Sequence, residues 1–230
     1  SYQLEVSGIE DCSGNGNGFV LQQTLLRGSA PVFGDLIINE IMADPDAEIP
    51  SPNSEYIELY NKSDHLIELT GVGLNNGIVA EAALIEPGGY HVLTSEGGLV
   101  DFIFYANVTG MASFPGLTNS GATITLYDPQ GGTLDVVSYD IEWYQDPSKD
   151  DGGYSLELIN PNDPCSDRSN WTASNAASGA TAGAANSVLD LTPDTAAPEL
   201  ELILVTDVDI LDFYFNEPVD EASLSLIEIT

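Results

Sequence analysis

Apolar and polar positions alternate most clearly over residues 34–61, in two short arms around an acidic, proline-broken loop. The first arm sets Leu36, Ile38 and Glu40 against Ile37, Asn39 and Ile41; the second sets Tyr56, Glu58 and Tyr60 against Ile57, Leu59 and Asn61. A period of two sends one set of side chains to a core and the other to the surface, so both arms read as strands. Pro45, Pro50 and Pro52 exclude helix and regular pairing from the loop between them. Strand-like runs recur at residues 66–69, 90–94, 102–105, 122–127, 133–139 and 154–159, separated by turns rich in Gly, Pro and Asn. The clearest hairpin turn is Asp128-Pro129-Gln130-Gly131-Gly132, and no amphipathic helix of three turns stands out. This spacing predicts an all-β chain built on an antiparallel sandwich.

Outside this region, residues 2–6 and 19–26 read as two strands around a turn, and residues 200–205 and 210–215 as two more around an acidic turn. Two strands alone cannot bury a core. Residues 173–185, almost all Ala, Ser, Gly, Asn and Thr, fit either an ordered covering loop or a plain linker.

The motifs then carry a resemblance. Asn39-Glu40-Ile41, Glu55-Tyr56-Ile57-Glu58-Leu59 with Asn61, Ile67-Glu68-Leu69-Thr70-Gly71 and Pro87-Gly88-Gly89-Tyr90 are followed by LTNSGATITLYD at 117–128, GYSLEL at 153–158, Asn170-Trp171 and GATAGAANS at 179–187. This order resembles the bacterial form of the lamin tail domain over residues 34–188, with Thr181-Ala182-Gly183 standing where the family usually has Thr-Pro-Gly. The resemblance implies an immunoglobulin-like β-sandwich used as an accessory module in secreted and surface proteins, with no catalytic residues. Residues 1–33 resemble the last strands of a bacterial immunoglobulin-like repeat and residues 199–230 the first strands of another, with 189–198 a linker, as in large exported proteins of Bacteroidetes-type bacteria. The chain is therefore expected to be an excerpt of a tandem array, or to have half-domains that complete one another between copies.

Charge narrows the function classes. Asp and Glu number 37 against 4 Lys and Arg, a net charge of −33, and such a field repels nucleic acid and anionic membrane. Nothing approaches the roughly 20 apolar residues needed to span a bilayer, and the chain opens on a strand-like segment rather than a signal peptide. The acidity suits solubility in a salty medium, or calcium, which takes several oxygen ligands from flexible loops. Three loops have that composition: Asp44, Asp46 and Glu48 with Glu55; Asp146, Asp150 and Asp151 before two glycines; and Asp163 with Asp167. Solvated surface carboxylates are the alternative reading of each.

His65 and His91 lack paired-ligand spacing and read as surface or half-buried side chains; G-x-S-x-G is absent, and no groove is evident for Glu55 and Glu58 to act as a glycosidase pair. No enzyme is expected. Cys12 and Cys165 are a disulfide candidate. Asn61, Asn107 and Asn170 begin glycosylation sequons, while Trp171 reads as a core anchor. The expected role is a non-catalytic structural or adhesive module at an extracellular cell surface, contacting other surface proteins, glycans or copies of itself. The alternatives are a filament subunit completed by strand exchange and an accessory module of a larger secreted hydrolase or nuclease.

Overall fold

The computed structural model describes residues 2–16, 18, 20–25, 27–46, 48–163, 168–193, 195–207, 210–215 and 219. The strands in chain order are β1 (Tyr2–Val6), β2 (Leu21–Leu25), β3 (Leu36–Met42), β4 (Tyr56–Asn61), β5 (Ile67–Glu68), β6 (Gly73–Leu74), β7 (Gly77–Ile78), β8 (Leu84–Ile85), β9 (Tyr90–Ser95), β10 (Val108–Met111), β11 (Gly121–Tyr127), β12 (Thr133–Asp140), β13 (Leu156–Leu158), β14 (Trp171–Ala173), β15 (Leu200–Asp207) and β16 (Ile210–Phe215). The central sandwich sets a six-stranded sheet, β10-β9-β4-β3-β13-β14, against a four-stranded sheet, β12-β11-β6-β7, with β5 and β8 paired beside them. Side chains from both sheets meet in one core, Ile41, Leu59, Leu93 and Leu156 from the first and Leu74, Ile124 and Leu126 from the second. The fold is thus all-β and immunoglobulin-like. One pairing departs from the antiparallel pattern, β10 running parallel to β9.

The turns follow their residues. The hairpin between β11 and β12 closes through Asp128 N to Gly132 O at 2.7 Å and Gly131 N to Asp128 O at 3.0 Å, and Gly131 takes the positive φ of 88° that the turn requires. Residues 102–105, predicted as a strand, are instead the end of a 3-10 helix, Glu96–Phe102, and the turn after it. Ser95 caps that helix by accepting a hydrogen bond from Gly98 N at 3.0 Å, and Phe102 anchors it against the sheet. Such a cap directs the chain into helical geometry where alternation alone suggests a strand.

In β3 the strict alternation also fails. The pairing with β4 shifts register between Ile38 and Glu40, so Leu36, Ile38 and Ile41 all enter the core, while Glu40 faces the other way. An extra residue in one strand reverses the phase of everything after it. The expectation that the polar partners of both arms lie at the surface is likewise corrected: Asn39, Glu40, Glu58 and Asn61 are all buried.

Hydrogen bonds bind the central unit from Ser29, whose N–H donates to Leu66 O at 3.0 Å, to Asp190, whose N–H donates to Ile159 O at 3.0 Å. Beyond these points β1–β2 and β15–β16 are two-stranded sheets of their own. Among the described residues no helix is long and apolar enough to cross a membrane.

Candidate functional site

The polar groups concentrate on the outer face of the six-stranded sheet. Three adjacent strands each carry one glutamate in register, Glu58 of β4 opposite Glu40 of β3, and Glu40 opposite Glu157 of β13. Each is 0% exposed. Like charges placed opposite one another across strands destabilise a sheet, and a buried carboxylate is tolerated only with donors around it. Those donors come mainly from one segment, residues 174–188, which crosses the sheet as a strap.

Glu40 Oε1 accepts from Ser155 Oγ at 2.5 Å and from Thr181 N at 2.8 Å. Glu58 Oε1 accepts from Asn39 Nδ2 at 2.9 Å, and its Oε2 from Gly183 N. Glu157 accepts from Thr181 Oγ1 at 2.9 Å, Ser187 Oγ at 2.7 Å and Val188 N at 3.2 Å. The strap can lie this close because it is built of small residues. At Gly179, with φ of 80°, an added Cβ would run into the Gly153 carbonyl and the Ile49 side chain. The tract that reads as a covering loop or a linker is therefore an ordered cover.

Asn186 pins the strap's far end, donating from Nδ2 to Asn39 O at 2.9 Å and Leu158 O at 2.8 Å and accepting from Asn39 Nδ2 at 2.7 Å. Asn186→Ala strips partners from three buried polar groups. The expected loss is about 2–3 kcal/mol in a urea titration, and a loss below about 0.5 kcal/mol would show that the strap is not held there.

Two oxygens in the site have no hydrogen bond, Glu40 Oε2 and Tyr56 Oη, although each group is close enough to perturb the ionisation of the other. Burial pushes the Glu40 carboxyl up to about 7 against the opposing pull of its donors. Burial and the neighbouring Glu40 hold Glu58 well above the ordinary carboxylate range. Tyr56 is raised too, first by burial and then by Glu40 and Glu58. Alongside the row lies a small apolar cluster of Met42, Tyr56, Val92, Phe102 and Ala180, in which the Tyr56 and Phe102 rings meet edge to face at 5.6 Å. The site holds protons and hydrogen bonds under a closed cover, an arrangement suited to fastening the strap.

This geometry joins a bulged β3, a glutamate row and a covering tail on an immunoglobulin-like sandwich. Residues 29–140 match the family model for the Lamin Tail Domain. Searches of curated proteins and of solved structures gave no match. The matched stretch begins where Ser29 bonds to the β5 segment. Its sheet continues past the matched stretch, since β13 pairs with β3 and β14 with β13.

The residues singled out for calcium fall elsewhere on the central sandwich and its loops. The first two acidic loops do meet: Gly153 N donates to Asp44 O at 2.7 Å, and Asp44 and Asp150 both act on Tyr144, raised chiefly by burial. Asp46 accepts from Glu48 N at 2.9 Å and Asp146 from Ser148 N at 3.0 Å, so these carboxylates shape their own turns. Asp151 is exposed, and Glu55 accepts from Leu117 N at 3.1 Å. Among the described residues no three such side chains gather as a metal-ligand set. Asp163 is half-buried, whereas Asp167 and Cys165 lie outside the described residues; Cys12 is an exposed free thiol.

His91 corrects the expectation of a surface or half-buried ring. It is buried beside Thr109 Oγ1 at 2.8 Å, and burial lowers its pKa to about 4. Of the three sequon asparagines, Asn61 and Asn170 are buried and Asn107 is exposed.

The glutamate row was missed by the sequence reading, yet it left a signal. Glu58 and Glu157 each stand between apolar neighbours, in Ile57-Glu58-Leu59 and Leu156-Glu157-Leu158, and Glu40 is followed by Ile41 and Met42. A strand apolar in both phases is covered on both faces.

Proposed function

We propose that this chain is a non-catalytic structural segment of a secreted bacterial surface protein, in which the lamin-tail module spaces neighbouring units and contacts other surface proteins or glycans. The observation that carries this reading is the pair of hairpins at its ends. β15 is exposed along its whole length, including Leu200, Leu202, Ile203, Leu204 and Val205. A lone two-stranded hairpin is marginal in water, so further strands must cover these faces in the working protein. Supplied by the same polypeptide, they make the module one bead in a series of sandwiches. Supplied by a second copy, they make it a filament subunit, the second reading, which the exposed apolar residues of β15 equally allow.

Light scattering on the chain, with and without residues 1–28, separates the two. The serial reading expects monomers in both cases and an unchanged melting temperature for the central sandwich. Assemblies that vanish on deletion, with the melting of the sandwich preserved, would replace it by the filament.

A further inference from the structure

We propose that the strap, over its residues 179–188, is a proton-controlled latch on the outer face of the six-stranded sheet, closed while Glu40 and Glu58 beneath it carry protons and opened by their loss. The argument starts from what holds the strap. Its contacts with the row are the amides of Thr181, Gly183 and Val188 and the hydroxyls of Thr181 and Ser187, all ending on Glu40, Glu58 or Glu157. Its apolar contribution is small, Ala180 and Ala182 against the Tyr56 and Phe102 cluster. Beside the Asn186 anchor and the Ser155 N to Gly179 O bond, the carboxylates thus hold the strap at Thr181, Gly183, Ser187 and Val188, and their charge state decides the strength of that hold.

Residues 173–189 contain no titratable side chain, so the strap itself cannot respond to pH. The groups that face the row come from the elements below and beside it: Glu40 from β3, Tyr56 and Glu58 from β4, Glu157 from β13, Tyr90 from β9 and Tyr105 after the 3-10 helix. The charge acting on Glu40 is that of Glu157, and those acting on Glu58 are Glu40 and Glu157. Glu40 shows where the closed form fails on ionisation. Its donors all reach Oε1, and Oε2 is buried without a partner. A proton on that oxygen removes the problem. A negative charge there has only the buried Tyr56 hydroxyl to turn to, which makes no well-formed hydrogen bond with it, and faces two further carboxylates; lifting the strap lets water reach all three. Ionisation also strengthens Glu40 Oε1 and Glu58 Oε2 as acceptors for the strap amides, but burial outweighs those bonds in both groups.

The test is amide hydrogen exchange on the full chain between pH 5 and 8.5, with rates corrected for the intrinsic pH dependence of exchange. The Thr181, Gly183 and Val188 amides should lose protection by up to about tenfold per pH unit, while amides of the β4–β9 ladder keep theirs. In Glu58→Gln, which retains an acceptor and a neutral side chain, the loss should be markedly smaller. Protection at the strap that does not change with pH would overturn the latch, and so would strap and ladder amides losing it together. Carboxyl carbon shifts of the unaltered protein give an independent reading: Glu40 and Glu58 titrating at ordinary carboxylate pH with the strap closed would also overturn it.

Discussion

Raising the pH from about 6.5 to 8.5 should lower the stability of the central sandwich, at roughly 1.4 kcal/mol per pH unit for each proton that the folded state retains. The sign follows from the two states. A carboxyl whose pKa is raised on folding holds its proton in the native state after the unfolded chain has lost it, so stability is fully present below the unfolded pKa and falls as pH rises to the folded one. For Glu40 that window runs from 4.5 to about 7, on the order of 3 kcal/mol. Glu58, raised well above its ordinary value by burial and Glu40, and Asp135, raised by burial, act in the same direction.

His91 opposes them. Its pKa falls from 6.5 to about 4, so the unfolded chain takes up a proton that the buried ring refuses, and stability drops as pH falls through that range by a similar amount, about 3 kcal/mol. Glu40 and His91 therefore nearly offset each other between pH 4.5 and 6.5. Above 6.5 His91 has no further effect, and the protons still held by the raised carboxyls give a net decline that levels off once those groups are hydrated. Urea titrations at unit pH steps would measure this. Glu58→Gln should flatten the upper limb, and Glu40→Gln added to it should expose the rising His91 limb below pH 6.5. A stability that is constant or rising from pH 6.5 to 8.5 would refute the assignment of protons to the row.

Trp171→Ala should cost about 3–5 kcal/mol, a large share of the 5–15 kcal/mol typical of a domain. Trp171 is 0% exposed, sits on β14 at the edge of the six-stranded sheet, and lies 6.1 Å from Trp143 between ring centroids. Its carbonyl also accepts from Gln145 Nε2 at 2.6 Å, which fixes the 3-10 helix Ile141–Tyr144 against the strand. The walls of the cavity left by the indole are hydrogen-bonded strand on one side and capped helix on the other, so they cannot collapse to fill it. The contrast is Phe104, 93% exposed on the turn after the first 3-10 helix, where Phe104→Ala should change stability by no more than about 0.5 kcal/mol. Equal effects at the two positions in urea titrations would mean that the core is not centred where Trp171 places it.

Much of this architecture was legible from the chain. Alternation over Tyr56 to Asn61, the Asp128 turn and the absence of helical periodicity all act over a few residues, and local sterics decide them wherever they occur. The hairpin strands at both ends and the buried Trp171 were read the same way. The β3 bulge was not legible, because Leu36, Ile38 and Glu40 keep a clean period of two and only pairing with β4 forces the extra residue out of phase. Nor was the helix at residues 96–102, whose Ser95 cap competes with a strand-like composition.

The sequence by itself determined the fold class, the strand supply and the small-residue tract able to lie flat on a sheet. The tertiary structure alone decided that Glu40, Glu58 and Glu157 form one buried row and that this tract closes over it. Those residues are up to 117 positions apart, from Glu40 to Glu157, and a carboxylate reads as solvated until a register fixes its neighbours. Burial and charge coupling depend on those neighbours, not on the residue that carries the proton.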